Sequence, residues 1–283
     1  MGAAAARVVP FGLANHGRRT SVEKIASKDG TPIAYERGGE GTPLVLVHGT
    51  SSDHTTTWPF VLPALEERCA VYAVDRRGRG ESADSANYSI EREFEDIAAV
   101  VDSIGGAVDL LGHSYGALCA LEAALLTDKV RGLILYEGDI STPNARILPL
   151  EAVERMEALL AEDDRDGVIT SLLELAGLSP EEISHLRSQP SWERRLANAH
   201  TVPREVRANR DYVFEAPRFE GLASPTLLLV GGESPDHERA DAETLARTLP
   251  NASITILAGQ GHAAILTAPE LFVGEVLKFI ETL

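Results

Sequence analysis

Runs of four or five mostly apolar residues recur along this chain, each stopped by a glycine or a polar residue. Leu44–Val47 stops at His48, Ala70–Val74 at Asp75, Val108–Leu111 at Gly112, Leu133–Tyr136 at Glu137 and Thr226–Val230 at Gly231, while Ser253–Leu257 stops just before Gly259. A strand with one wet face alternates apolar and polar residues, whereas a nearly unbroken run leaves no wet face. These segments therefore suit strands of a parallel sheet covered on both sides. Between the runs, Phe94, Ile97, Val100, Val101 and Ile104 fall at steps of three and four, the period of a helix with one buried face. Ala117–Leu126 and Leu271–Ile280 read likewise, the second with Pro269 near its start. Ahead of the first run, 21–26 and 32–37 read as two strands around an Asp29-Gly30 turn. Alternating strands and helices predict an α/β architecture with a mainly parallel sheet.

One block departs from the alternation. Residues 140–220 hold no convincing strand; they carry helix-like stretches such as Ala152, Val153, Met156, Leu159 and Leu160, punctuated by Pro143, Pro149, Pro180, Pro190, Pro203 and Pro217. Helices inserted between two strands of a regular sheet predict a cap or lid. The expected division is a loose tail over 1–20, a core over 21–139 and 221–283, and a helical cap over 140–220.

Composition narrows the classes of partner. Lys and Arg number 26 against 43 Asp and Glu, a formal charge of −17, which repels phosphate backbones and anionic lipid surfaces. Neither a nucleic acid nor a membrane is expected as a partner, and oligomeric state is left open. No stretch reaches the roughly 18 apolar residues of a membrane span. Arg18-Arg19 is followed by no apolar segment of the signal-peptide kind, so a soluble cytoplasmic protein is the expectation. Cys69 and Cys119 form neither a CxxC nor a zinc spacing and read as buried free thiols. There is no HExxH or Cys/His cluster, and Gly38-Gly39-Glu40-Gly41 lacks the G-K-[ST] ending of a phosphate loop, so no metal or other cofactor is expected.

The sharpest motif is Gly112-His113-Ser114-Tyr115-Gly116, a G-x-S-x-G between a buried strand and an Ala-rich helix. A turn this tight tolerates almost no side chain at its flanking positions, which the glycines satisfy. The serine is pushed out at a helix N-terminus, where free N–H groups favour developing negative charge. Ser114 reads as a nucleophile.

With that elbow in its strand–turn–helix setting, the chain resembles the α/β-hydrolase superfamily over nearly its whole length from about residue 21. The His48-Gly49 turn, the loop Asp75-Arg76-Arg77-Gly78-Arg79-Gly80-Glu81-Ser82 and the segment Gly259-Gln260-Gly261-His262 add to the resemblance. It implies an eight-stranded, mainly parallel sheet flanked by helices, and it implies roles. His262 stands where the family keeps its base, which a serine hydroxyl needs before it can attack. Backbone N–H groups of Thr50 and Tyr115 correspond to the oxyanion hole. His48 and His113 read as structural, and His54 lies in a polar loop that borders the pocket; His16, His185, His200 and His237 read as solvated or packed.

The acid that orients the base falls, in the family's chain order, between serine and histidine. Glu137, Asp139, Glu233 and Asp236 are the candidates. The family's usual location follows the strand ending at Val230, yet there the aspartate's place is taken by Ser234. Some relatives with this fold, among them haloalkane dehalogenases and certain lactonases, draw the acid from the earlier strand. Glu137, ending an apolar strand where a carboxylate is partly desolvated and needs a partner, is the preferred acid, with Asp236 as the alternative.

A serine with a histidine base supports acyl-enzyme chemistry. The resemblance thus implies cofactor-free hydrolysis of a small or medium lipophilic ester, thioester or lactone, within a cap-enclosed pocket that Met156 and Trp192 help to line. Other readings on the same residues are a lyase, a carbon–carbon bond hydrolase, a perhydrolase, an acyl transferase or cyclase, and a non-catalytic ligand-binding relative.

Overall fold

In the computed structural model, which describes residues 21–138, 140, 142 and 148–283, every apolar run is a strand. The strands are β1 (Ser21–Ala26), β2 (Pro32–Gly38), β3 (Thr42–Val47), β4 (Cys69–Val74), β5 (Val108–His113), β6 (Val130–Tyr136), β7 (Thr226–Gly231) and β8 (Ala252–Leu257). They form one sheet in the order β1-β2-β4-β3-β5-β6-β7-β8. β1 and β2 pair antiparallel, as do β2 and β4, while β3 through β8 run parallel to their neighbours. The expected tail over 1–20 and the candidate Asp139 lie outside the described residues.

Two-sided burial explains the runs. Val45 and Val47 of β3 face one apolar cluster, and Leu44 and Leu46 face another on the opposite side of the sheet. This is the period-two alternation of a strand, with both faces dry. All four side chains have no exposed surface, and burying each contributes about 1.5–3 kcal/mol. The outermost β1 is exposed along most of its length and is kept short and charged by Glu23 and Lys24, as unprotected edges are.

Short helices α1 (His54–Thr57) and α2 (Leu62–Glu66) follow β3; α3 (Ile90–Ser103) follows β4, and α4 (Tyr115–Ala123) follows β5. The expected helix over 117–126 thus starts earlier and stops sooner, because the Leu126 side chain is more than half exposed and has no face to pack on. Between β6 and β7 come α5 (Leu150–Ala161), α6 (Arg165–Leu175), α7 (Pro180–Arg187), α8 (Ser191–Asn198) and α9 (Val202–Asp211). No strand occurs among the described residues of this insertion, which buries its own cluster around Val153, Val168, Ile169 and Ile183. α10 (Asp236–Thr248), α11 (Ala264–Thr267) and α12 (Pro269–Ile280) complete the chain.

Strand order decides where a site can form. From β3 the chain crosses to β4 on one side and then returns to β5 on the other, so β3 and β5 are neighbours at which the direction of winding reverses. Ligands of open α/β sheets bind in the crevice beyond the carboxyl ends of such a pair. The turns leaving that edge carry Gly49-Thr50 after β3, Ser114 after β5 and Glu137 after β6.

Candidate active site

Ser114 lies between the last residue of β5 and the first of α4, at φ 55° and ψ −129°. A non-glycine residue in that region costs free energy, about 1–3 kcal/mol, and persists only where its surroundings hold it. Here the N–H of Ser114 donates to the carbonyl of Tyr136 at 3.0 Å and its own carbonyl accepts from Ala117 at 2.8 Å. The flanking glycines are a steric necessity. A Cβ on Gly112 would stand 2.4 Å from the carbonyl oxygen of Gly116, and one on Gly116 would stand 2.3 Å from that of Val47. The β3 turn also approaches closely, since a Cβ on Gly49 would lie 3.0 Å from that of Ser114.

His262 follows β8 on a loop pinned from below. The Tyr136 hydroxyl donates to the carbonyl of Gly261 and accepts from the N–H of Ala264 at 3.0 Å. Nε2 of His113 lies 3.0 Å from the carbonyl of His262, so that nitrogen carries the proton. The His113 and His262 rings have centroids 4.6 Å apart. Burial, helped by the neighbouring His262, pushes the His113 pKa down to about 3, so it remains a neutral donor. His113, which reads from sequence as structural, thus holds the His262 loop against the serine turn.

Nδ1 of His262 meets Oε2 of Glu137 at 2.7 Å. The other carboxylate oxygen of Glu137 accepts from the N–H of Gly231 at 2.6 Å and from the Ser234 hydroxyl. Burial would raise the pKa of this carboxyl, but hydrogen bonds from His262, Ser234 and Gly231 outweigh it and hold the group below its ordinary value. Glu137 itself has φ 42°, a second non-glycine residue in the left-handed region beside Ser114. Asp236, the alternative acid, occupies the first turn of α10 behind Pro235. Glu137, Glu238 and His262 could each offer a ligand atom to a cation, the three atoms lying within 4.8 Å of one another. Both oxygens of Glu137 are already committed to hydrogen bonds with Gly231, Ser234 and His262.

The β3 turn has its own scaffold. Nδ1 of His48 donates to the carbonyl of Gly49 at 2.9 Å while Nε2 accepts from the N–H of Arg76 at 3.1 Å. Nη1 of Arg76 donates to the same Gly49 carbonyl at 3.3 Å and to that of His48 at 3.4 Å. Because a trans peptide points its C=O and N–H to opposite sides, two donors on the Gly49 carbonyl turn the Thr50 N–H away from Arg76. The Arg76 guanidinium lies 4.5 Å over the ring of Tyr115 and pairs with Glu93 of α3 and Glu205 of α9, each at 2.9 Å. Tyr115 is the first residue of α4, so its N–H has no partner within the helix. Arg76 and Glu205 carry no local motif and were not legible as site residues; only the fold brings them under this turn.

The remaining candidates fall elsewhere. Met156 and Trp192, expected to line the pocket, are buried in the insertion's own core, with Trp192 Nε1 donating to Asp166 at 3.2 Å. His54 is held between Asp75 at 2.7 Å and Glu36 at 3.1 Å. A groove of about 720 Å³ runs along α3 and the chain after α9, past Phe94, Glu122, Tyr212 and Val213, and includes none of Ser114, His262 and Glu137.

Residues 44–275 match the model of the alpha/beta hydrolase family. The crystal structure of an alpha/beta hydrolase from Sphaerobacter thermophilus is similar at TM-score 0.81 and 34% identity, covering 91% of this chain and 100% of that one. The esterase RhEst1 from a Rhodococcus species is similar at TM-score 0.74 and 26% identity, over 93% of this chain and 99% of that one. Pyrrolizixenacetamide deacetylase of Xenorhabdus hominickii is 29% identical over 88% of this chain and 94% of its own length. The polyketide synthase ThaQ of Burkholderia thailandensis is 27% identical over 95% of this chain, which spans only 13% of that much longer protein. With the family's sheet order, its turn geometry and a sequence match over most of its length, the chain belongs to the alpha/beta hydrolase family of enzymes.

Proposed function

We propose that this enzyme is a cofactor-free serine hydrolase acting on a small or medium lipophilic ester, thioester or lactone. Ser114 is the nucleophile, His262 the base and Glu137 the acid that orients it; the N–H groups of Thr50 and Tyr115 receive the oxyanion. His262 Nε2 takes the Ser114 proton as Oγ attacks the substrate carbonyl. Negative charge then develops where the N–H turned outward by Arg76 and the free N–H opening α4 can meet it. Collapse of the tetrahedral intermediate expels the alcohol, thiol or ring oxygen, which leaves with the proton from His262. Water then repeats the sequence on the acyl-enzyme and releases the acid. Glu137 stays ionised throughout, holding the imidazole and its cationic form. The helical insertion serves as the cap, since α9 and α8 both reach the loops at this edge of the sheet.

The observation that carries the reading is the 2.7 Å contact between His262 and the buried Glu137, beside a serine held at positive φ. The test is hydrolysis of p-nitrophenyl esters from acetate to octanoate, and of simple lactones, by wild type and Ser114→Ala. Turnover is expected to fall by about 10⁴- to 10⁶-fold in the variant. Undiminished turnover in Ser114→Ala would remove the serine from the reaction.

A further inference from the structure

Arginine is abundant here, and nearly every sheltered arginine has a carboxylate. Arg76 and Arg79 pair with Glu205, Arg77 with Asp96, Arg92 with Glu95 and Arg131 with Asp109. In the insertion, Arg204 pairs with Asp84, Arg207 with Glu157 and Arg210 with Asp211. Arg195 of α8 is the exception. It is partly buried, yet among the described residues no carboxylate comes within ion-pair distance of it. Nη1 donates to the hydroxyls of Ser51 at 3.1 Å and Ser52 at 3.5 Å, neutral acceptors that leave its charge unanswered. Nε is buried and, among the described residues, has no hydrogen-bond partner. A charged group sheltered from water without a counterion is costly, and a ligand of opposite charge bound beside it would remove that cost.

Its location gives the arginine a use. Ser51 directly follows Thr50, the proposed oxyanion donor, and stands two Cα steps, at most about 7.6 Å, from the Gly49 that packs on Ser114. Ser51 is itself held at φ 58°, presenting its hydroxyl to α8. The guanidinium therefore stands over the same crevice, on the side of the insertion. Asp53, whose charge favours the ionised form of Arg195, already accepts from Thr55 and Thr56 and faces Arg194 at 3.7 Å, and it forms no ion pair with Arg195. On a protein of formal charge −17, a bare arginine at this place is also what lets an anionic substrate approach.

We propose that Arg195 is a specificity-determining residue that binds a carboxylate on the substrate, so that the preferred substrate is a half-ester, or the corresponding thioester or lactone-acid, with its anionic group a few atoms from the scissile carbonyl. The inference rests on the serine hydrolase reading above and narrows its substrate class. A planar guanidinium suits a carboxylate because two parallel N–H donors match its two oxygens.

The test compares monomethyl with dimethyl glutarate and adipate, followed by pH-stat titration, in wild type, Arg195→Gln and Arg195→Lys. Wild type is expected to favour the monoesters, and Arg195→Gln to lower the monoester-to-diester ratio of kcat/KM by about 10- to 100-fold, mostly through KM. Arg195→Lys, keeping the charge without the fork, is expected to fall between them. Equal losses on monoester and diester would assign Arg195 to holding the Ser51–Ser52 loop and overturn the proposal, as would a wild-type preference for diesters. Titration calorimetry with glutarate separates this from the fate of the serine reading. Glutarate should bind Ser114→Ala and bind the Ser114→Ala, Arg195→Gln double variant about 10- to 100-fold more weakly. No ester turnover with that binding pattern would overturn the hydrolase reading alone; no glutarate binding to Ser114→Ala, or equal binding to both, would overturn the role of Arg195.

Discussion

Glu137 concentrates several costs in one residue: a buried carboxylate, a positive φ and an acceptor set filled by three donors. A group held so firmly is expected to act through the imidazole it orients. Glu137→Gln should lower kcat by about 10³- to 10⁴-fold, since an amide can favour the wrong tautomer of His262. Asp236→Asn should stay within a fewfold of wild type, and the reverse result would transfer the role to Asp236. His54 offers a separate prediction about stability. Burial opposes its charge, but Asp75, with Glu36 and Asp53, overrides that and raises its pKa above the ordinary histidine value. Its contribution to stability is therefore complete below about pH 6.5 and is lost as pH rises through the higher folded-state value. Urea midpoints of wild type should fall relative to those of His54→Asn as pH rises above about 6.5; parallel profiles would show that folding leaves the proton affinity of the imidazole unchanged.

At the scale of elements, the turns matter more than the strands they end. The β3 turn, the β4 turn and α9 are joined by one buried ion cluster, in which Arg76 bridges Glu93 and Glu205 and also caps two backbone carbonyls. Removing one partner of such a cluster leaves uncompensated charge in the interior. Arg76→Gln should cost about 3–5 kcal/mol in urea unfolding. It should also lower kcat more than it raises KM on any ester turned over, because the Gly49–Thr50 peptide loses one of the two donors that set its direction. A stability loss below about 1 kcal/mol would mean that Glu93 and Glu205 find water or other donors instead. Sequence made the turns visible through Gly112 and Gly116, whose chemistry is local. It left Arg76 looking like any arginine in a Gly-rich loop, because its partners lie on elements far away in the chain.

Across the molecule, net charge and local pairing pull in opposite directions. Formal charge of −17 spread over 283 residues repels itself, and salt screens that repulsion more than it weakens buried pairs. Raising NaCl from about 10 to 150 mM shortens the screening length from roughly 30 to 8 Å and is expected to raise the melting midpoint by a few degrees. A fall would mean that exposed pairs such as Arg207–Glu157 outweigh the overall repulsion. The insertion is tied to the core through Glu205, Arg195 and Arg204, so the same measurement should show one transition.

The boundary between what sequence alone settled and what required the fold follows the range of the interactions. Strand positions, the parallel sheet and the strained serine turn depend on neighbours a few residues apart, and their hydrophobic period and glycine spacing are written in the chain. Which carboxylate reaches His262 was open between β6 and the start of α10. It was decided by sheet order, which sets β6 beside both β5 and β7 and turns Ser234 into a donor to Glu137. Met156 and Trp192 look from sequence like pocket residues, because an apolar side chain reads the same whether it faces a ligand or another helix; the packing of five helices on one another took them inward. Arg195 is the opposite case. Its composition and spacing say nothing, and it is marked out only in three dimensions, where among the described residues no carboxylate comes within ion-pair distance of it.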